Sequence, residues 1–583
     1  MAKILFITWH FGCLRNFDGA LAALAARGHR VHLAATQQEK QGGLQLVEQL
    51  AAAHLGITVG WTPAVATQSA RDVSERVRLG LDYLRYAAPE YVDTPRLRAR
   101  AADRAPRGVV WADRVLGAAG RRSIEGGLRR LELALPQDTS AEEYLREQAP
   151  DIVLFTPLIG LGSPEVEYLA AARRIGLRTV FCVWSWDNLS SKSMLRDMPD
   201  VVTVWNETQL REAVELHRVP RARVVVTGAQ CFDQWFGRTP GRSRREFAAD
   251  AGLPDDRPFV LYVCSALFRG SPSEARFVRR WVEEVRGSGE VRLRDVPILI
   301  RPHPSRLAEW RDVTLDGLGP TVLFGSNPMT PAARTEYFDS MYYSAVVVGL
   351  NTSAMLESAI VGRPVLTLLL PEFAENQEGT LHFRYLLDAD HGLLHAARDM
   401  ASHIEQLAAV LDNPDAAAAR SASFVAHFIR PHGRGVSATD RYVAAIEGAL
   451  DAPAQPPAPA RPVAPPLARW VVANADRWPV RALLLSPREH DELRRRAAHL
   501  RAKRREKLMR LAGDFAARVP RWFEKAARRR RRAAEERAIK AAKRAAKAAR
   551  QRKKRELLRR SRRDRVRELV AQRLWRLVGG RPE

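Results

Sequence analysis

Cysteine is scarce in this chain: 583 residues carry four, Cys13, Cys182, Cys231 and Cys264. None form a C-x-x-C pair, and no histidine cluster has zinc spacing, so neither a disulfide framework nor a structural metal is expected. Isolated thiols in a chain this long read as buried groups in a reducing compartment. No stretch approaches ~18 uninterrupted apolar residues, which argues against a membrane-spanning helix. The apolar run at Met1–Thr8 is too short for a secretory signal and leads straight into a domain. The dinucleotide fingerprint G-x-G-x-x-G is missing from the first loop, and no repeat of fixed period is visible.

Positive charge is abundant, but only at one end. Of 93 Lys+Arg and 66 Asp+Glu, residues 481–583 hold 38 basic and 12 acidic side chains, leaving 55 and 54 in residues 1–480. A near-neutral body therefore carries a strongly basic tail, which excludes a uniformly basic, histone-like protein. The 46% apolar content is that of folded protein.

Within the body, short apolar runs alternate with helical patterns. Strands are expected at Lys3–Thr8, Arg30–Ala35, Ile57–Trp61, Ile152–Phe155, Thr179–Val183, Val201–Val204 and Val224–Thr227. A second series follows at Phe259–Cys264, Ile298–Arg301, Thr321–Phe324, Ala345–Leu350 and Val365–Leu369. Such alternation implies parallel, doubly wound sheets, hence an α/β protein. Domains are expected at 1–230 and 231–450, with a hinge near 231–256 and closing helices near 399–411 and 436–450. Residues 453–466 contain seven prolines, an extended spacer within a 451–466 linker. The 467–583 tail is rich in Arg, Lys, Ala, Glu and Leu, a composition that favours helix.

Polar clusters fall at strand ends, where open α/β sheets bind ligands. After the first strand come His10 and Arg15; a histidine there suits a general base, and an arginine suits an anionic or acceptor group. After Thr179–Val183 come Trp184, Trp186, Asp187 and Asn188, with rings for a sugar face and polar groups for hydroxyls. In Arg301-Pro302-His303-Pro304 the prolines restrict the backbone around a phosphate-donor pair. In Asn351-Thr352-Ser353, polar residues open a helix carrying Glu357, and a carboxylate there can accept from two ribose hydroxyls. Ser265 lies in a loop of small residues that lets backbone approach a diphosphate. Ordinary capping explains any one of these groups; their recurrence at several strand ends favours a site.

These motifs resemble the GT-B glycosyltransferase superfamily. HFGCLRN followed by ALAALAARGHRVHLA is similar to its opening βαβ unit. R-P-H-P resembles the His-Pro motif of capsule-assembling transferases, including the CDP-glycerol glycerophosphotransferase and polysialyltransferase groups. NTSAMLESAIVGRPVLT resembles the nucleotide-binding segment that GT-B transferases share with non-hydrolysing UDP-N-acetylglucosamine 2-epimerases. SWDNLSSK and the following VVTVWNETQLREAVELH resemble bacterial surface-polysaccharide proteins.

The resemblance implies two Rossmann-like domains, an acceptor domain first and a nucleotide-sugar donor domain second. His10 and Asp187 would be catalytic. Arg15, Trp184, Trp186 and Asn188 would hold the acceptor. Arg301, His303, Asn351, Thr352, Ser353, Glu357 and Ser265 would hold the donor. No cofactor or metal is implied. The alternatives are a nucleotide-sugar 2-epimerase on the same fold and a noncatalytic body that presents the tail.

Beyond the spacer, Val566, Leu569, Val570, Leu574, Leu577 and Val578 follow helical spacing among arginines, the pattern of a helix lying on an anionic membrane. Trp522 and Phe523 suit interfacial anchoring. Residues 519–578 are therefore expected to contact an anionic membrane surface, in preference to nonspecific nucleic acid. That implies a cytoplasmic protein held at the inner membrane face, acting on a glycan or lipid-linked acceptor.

Overall fold

A computed structural model describes all of the chain except residues 40–41, 64–67, 136–138, 454–455, 458–465, 519–526 and 553–583. The chain divides into two compact units, one of residues 1–101 and 135–464, the other of 102–134 and 465–583.

The larger unit holds two wholly parallel sheets. The first contains β1 (Lys3–Thr8), β2 (Arg30–Ala35), β3 (Ile57–Trp61), β4 (Ile152–Thr156), β5 (Arg178–Cys182), β6 (Val201–Val204) and β7 (Val224–Val226). Their order is β3-β2-β1-β4-β5-β6-β7. The second contains β8 (Val260–Val263), β9 (Ile298–Arg301), β10 (Thr321–Leu323), β11 (Val346–Gly349), β12 (Val365–Leu368) and β13 (Leu394–Ala397). Here the order is β10-β9-β8-β11-β12-β13. The chain is therefore the expected α/β protein with two doubly wound, Rossmann-like domains.

Strands read as continuous apolar runs because helices cover both faces of each sheet. In β1, Leu5 and Ile7 enter one core with Val153 and Phe155. Ile4 and Phe6 enter the opposite core with Ile152 and Leu154. One core of the second sheet gathers Trp186, Trp205 and Phe232 from the first half of the chain around Leu261, Leu299 and Val347. The two halves are thus joined by shared apolar packing as well as by the chain.

Three elements differ from the sequence reading. Strand β13 has the sequence Leu-His-Ala-Ala and is half-buried at the sheet edge; its alanines carry little strand signal. The helix Ala438–Asp451 returns to the first sheet, where Tyr442, Val443 and Ile446 pack with Phe6 and Phe17. Its apolar spacing announced burial but not which sheet it would cover. The return is clasped by Asp233, which accepts from Arg430 Nη2 at 2.6 Å, Ser437 Oγ at 3.1 Å and the Thr439 N–H at 2.6 Å.

The third difference concerns residues 107–134, which belong with the tail and not with the 1–230 domain. Within the smaller unit, the Arg107 N–H donates to Leu485 O at 2.9 Å. The helical stretch Arg107–Ala134 breaks at Gly117, where φ is +61°, a backbone state that favours glycine. Ser486 and Glu489 then cap the long basic helix Pro487–Arg518 reciprocally, at 2.8 and 3.2 Å. Residues 527–552 are also helical. The expected amphipathic stretch 566–578, Trp522 and Phe523 lie outside the described residues. No helix among the described residues is long and apolar enough to cross a membrane.

Candidate functional site

Strand order reverses between β1 and β4 in the first sheet and between β8 and β11 in the second. Side chains that follow the carboxyl ends of strands in both sheets line one cavity of about 580 Å³. Arg15, Trp184 and Trp186 come from the first domain, and Arg301, His303, Thr352, Ser353 and Glu357 from the second. Eight residues singled out from sequence therefore share one cavity.

The second-domain wall is organised around Tyr337, on the helix Pro331–Tyr342. Its hydroxyl donates to Glu357 Oε2. Its ring lies under the Arg301 guanidinium, 5.0 Å from carbon to ring centroid. Arg301 is 6% exposed and pairs with Glu336 at 3.1 Å. Gly325 leaves room for that guanidinium: an added Cβ would sit 2.5 Å from it, and φ is +117°. Burial pushes the Glu357 carboxyl up to about 7, against the Tyr337 hydrogen bond and the Arg15 charge.

His303 Nδ1 accepts the Ser305 N–H at 3.2 Å, which leaves Nε2 to carry the hydrogen of the neutral ring. Burial lowers its pKa, and the charges of Arg306 and Arg15 lower it further. The imidazole is thus a neutral N–H donor at neutral pH.

Arg15 stands on the short helical turn Phe11–Asn16 and is exposed. It makes no hydrogen bond or ion pair among the described residues. Its charge acts on His303, Tyr337 and Glu357, all in the second domain. Arg238 and Arg334 also line the cavity, and Glu357 is the one carboxylate among the described lining residues. The cavity is cationic, and suited to a ligand with several negative charges.

The other side of the cavity is aromatic. Trp184, Trp186, Trp205, Phe232 and Trp235 line it. Trp184 Nε1 is buried and lacks a partner among the described residues, so it can donate to a ligand. Trp186 is held edge-on by His382, with ring centroids 4.6 Å apart.

Five expected residues do not line the cavity. His10 caps the first turn and lies 3.7 Å from Cys13 Sγ. Asp187 accepts from Lys192 Nζ at 2.8 Å, Ser185 Oγ at 2.8 Å and Ser191 Oγ at 3.1 Å. Burial opposes its charge, but Lys192, His382 and these bonds hold it well below the usual carboxylate range. A carboxylate so engaged is a poor base. Asn188 Oδ1 accepts the Trp184 N–H at 3.0 Å and so sets the turn that presents Trp184. Ser265 Oγ accepts the Asn351 N–H at 3.0 Å, and Asn351 Nδ2 donates to Asn376 O. Both are used in joining loops.

Sequence reasoning missed Tyr337, Arg334, Trp235 and Arg238. Arg334 and Tyr337 have i, i+3 spacing on the helix Pro331–Tyr342, which places them on one face; Trp235 lies on the short helix Asp233–Phe236 and Arg238 just beyond its end. The spacing of Arg334 and Tyr337 was the available signal, and it is shared by many surface helices.

No family model matches the chain, and no curated protein matches it in sequence. Solved structures are similar in chain fold. A glycosyltransferase from Rickettsia africae aligns over 78% of this chain and 100% of its own, with 9% identity and a TM-score of 0.44. The UDP-GlcNAc 2-epimerase of Neisseria meningitidis, bound to UDP-GlcNAc, aligns over 76% and 100%, with 11% identity and a TM-score of 0.43. The Anabaena protein HepE, in complex with UDP and glucose, aligns over 77% and 100%, with 9% identity and a TM-score of 0.42.

Proposed function

We propose that the chain is a GT-B-type glycosyltransferase that moves a sugar from a nucleotide diphosphate donor to a carbohydrate-bearing acceptor. The observation that carries this reading is the single cavity with a cationic side and an aromatic side at the carboxyl ends of two parallel sheets. Arg301, Arg15 and the His303 N–H receive the diphosphate and stabilise its charge as it leaves. Glu357, held by Tyr337, accepts from the ribose hydroxyls. Trp184 and Trp186 stack on the sugar or acceptor ring.

The epimerase alternative requires acid and base carboxylates near the sugar, and Glu357 alone among the described lining residues is a carboxylate. Transfer is therefore the better fit. The basic segment 481–583 fits a role in holding the enzyme at an anionic membrane surface, near a lipid-linked acceptor.

A thermal-shift panel of uridine, cytidine, guanosine and thymidine diphospho-sugars tests the donor class. One of them is expected to raise the melting temperature of the wild-type chain, and Glu357→Gln to reduce that rise. No shift with any of the four would contradict the reading.

A further inference from the structure

The smaller unit exposes aromatic side chains to an unusual degree. Trp111 is 66% exposed, Trp470 54% and Trp478 80%. Tryptophan is ordinarily highly buried, so three such residues in one small unit point to a surface that something covers.

Trp111 lies on a helix face against which Leu483 packs, and Trp478 lies five residues before Leu483 in the chain. An added Cβ on Gly108 would lie 3.3 Å from Leu483 Cβ, so Leu483 sits directly on the Gly108 face of its helix. Trp111 and Val115 follow Gly108 at i+3 and i+7, on that same face. Leu483 and Val115 are themselves exposed, at 57% and 40%. Trp478 immediately precedes Pro479, the N-cap of the short helix Val480–Leu484 that carries Leu483.

Arginines flank these residues in the chain. Arg107, Arg114, Arg477 and Arg481 are all exposed. Between residues 105 and 124 the one acid, Asp113, is buried and held by Arg121 Nε at 2.9 Å. Asp476 is the one acid between 465 and 486.

We propose that Trp111, Val115, Trp478 and Leu483 form a membrane-docking surface that inserts into the headgroup region of an anionic bilayer, with the four arginines contacting lipid phosphates. Tryptophan prefers that interfacial layer, where its ring meets acyl chain and its N–H meets water. The exposed aliphatic residues Leu483 and Val115 favour lipid over single-stranded nucleic acid, whose bases stack on aromatic rings. The choice of partner rests on the membrane reading of the basic segment, but the surface is separate from residues 519–578.

Vesicle flotation with the full-length chain separates the two. Vesicles of phosphatidylcholine with about one quarter phosphatidylglycerol are loaded at low salt and then washed at about 1 M salt, where the Debye length is ~3 Å. The low-salt arm reads attraction of the basic segment. The high-salt arm reads insertion of the docking surface.

The wild-type chain is expected to stay bound through the wash. Trp111→Ser/Trp478→Ser/Leu483→Ser is expected to bind at low salt and to lose at least about tenfold of the salt-resistant fraction, a difference of ~1.4 kcal/mol. Its melting temperature checks the fold, and the single variant Trp478→Ser repeats the test at the most exposed position. Brominated phosphatidylcholine is expected to quench wild-type tryptophan emission more than that of the variant. Full release of the wild-type chain by salt, unchanged retention of the variants, or tryptophan-dependent binding to single-stranded RNA in place of vesicles would overturn the proposal.

Discussion

At the scale of single residues, the cavity depends on two buried contacts. Glu357 is pushed up to about 7 by burial, so its charge rises as pH passes from about 6 to 8. If it accepts from ribose hydroxyls, nucleotide affinity should rise over that window, since a charged acceptor strengthens a hydrogen bond. Burial, Arg306 and Arg15 lower the His303 pKa, so its loss of charge is displaced toward lower pH than that of a free imidazole. Glu357→Gln should flatten the profile and weaken binding by about tenfold or more, the loss of one charge-assisted bond. Titration calorimetry at three pH values measures both. At Gly325, alanine would meet the Arg301 guanidinium and a φ of +117°. Gly325→Ala should displace Arg301 and cost roughly 1–3 kcal/mol of stability, read by urea unfolding. Arg301, His303 and Arg15 were singled out in the sequence because they lie at or after strand ends, and Glu357 because it lies on the helix after β11; all four line the cavity. Ser265 and Asn351 also follow strand ends, yet the chain spends their polar groups on its own loops. Nothing in one-dimensional order distinguishes the two uses.

At the scale of elements, the sheets were readable because buried parallel strands are largely apolar runs. Twelve of the thirteen strands were read from such runs, although His32 interrupts β2 and Thr58 and Gly60 interrupt β3; β13, Leu-His-Ala-Ala at the sheet edge, was not. Partner choice was not readable. The helix Ala438–Asp451 shows which of its residues are buried, but its docking on the first sheet is set by the clasp at Asp233 and by Phe17 and Phe6. Asp233→Ala would leave Arg430 unpaired at a largely buried site, where its side chain is 10% exposed. A loss of on the order of 3 kcal/mol is expected. Ile446→Ala, fully buried in the same contact, should cost about 2–5 kcal/mol. Urea midpoints for the two variants check this, and wild-type stability in both would mean that the helix is not held to the sheet.

At the scale of the whole molecule, four buried carboxyls give folding a pH dependence. Burial pushes Glu165, Glu212 and Glu274 up to about 8 and Glu357 up to about 7, from 4.5. Below about 4.5 both folded and unfolded states hold these protons. Between about 4.5 and 8 the folded state alone holds them, so stability falls as pH rises, by up to ~1.4 kcal/mol per unit for each group. Urea midpoints should drop from pH 5.5 to 7.5, and Glu212→Gln should reduce the slope. The net charge of +27 belongs to a different part of the chain from this core and from the cavity, whose own cations are few and placed. Donor binding by the proposed transferase therefore depends on those placed cations holding a nucleoside diphosphate. Calorimetric titration of the full chain with the nucleoside diphosphate of the donor selected by the thermal-shift panel tests that most directly, with Arg15→Ala as the comparison because Arg15 is exposed and makes no internal hydrogen bond or ion pair among the described residues. One site per chain is expected, weakened at least about tenfold by Arg15→Ala with no change in melting temperature. Absence of binding to the wild-type chain, or equal binding by the variant, would contradict it.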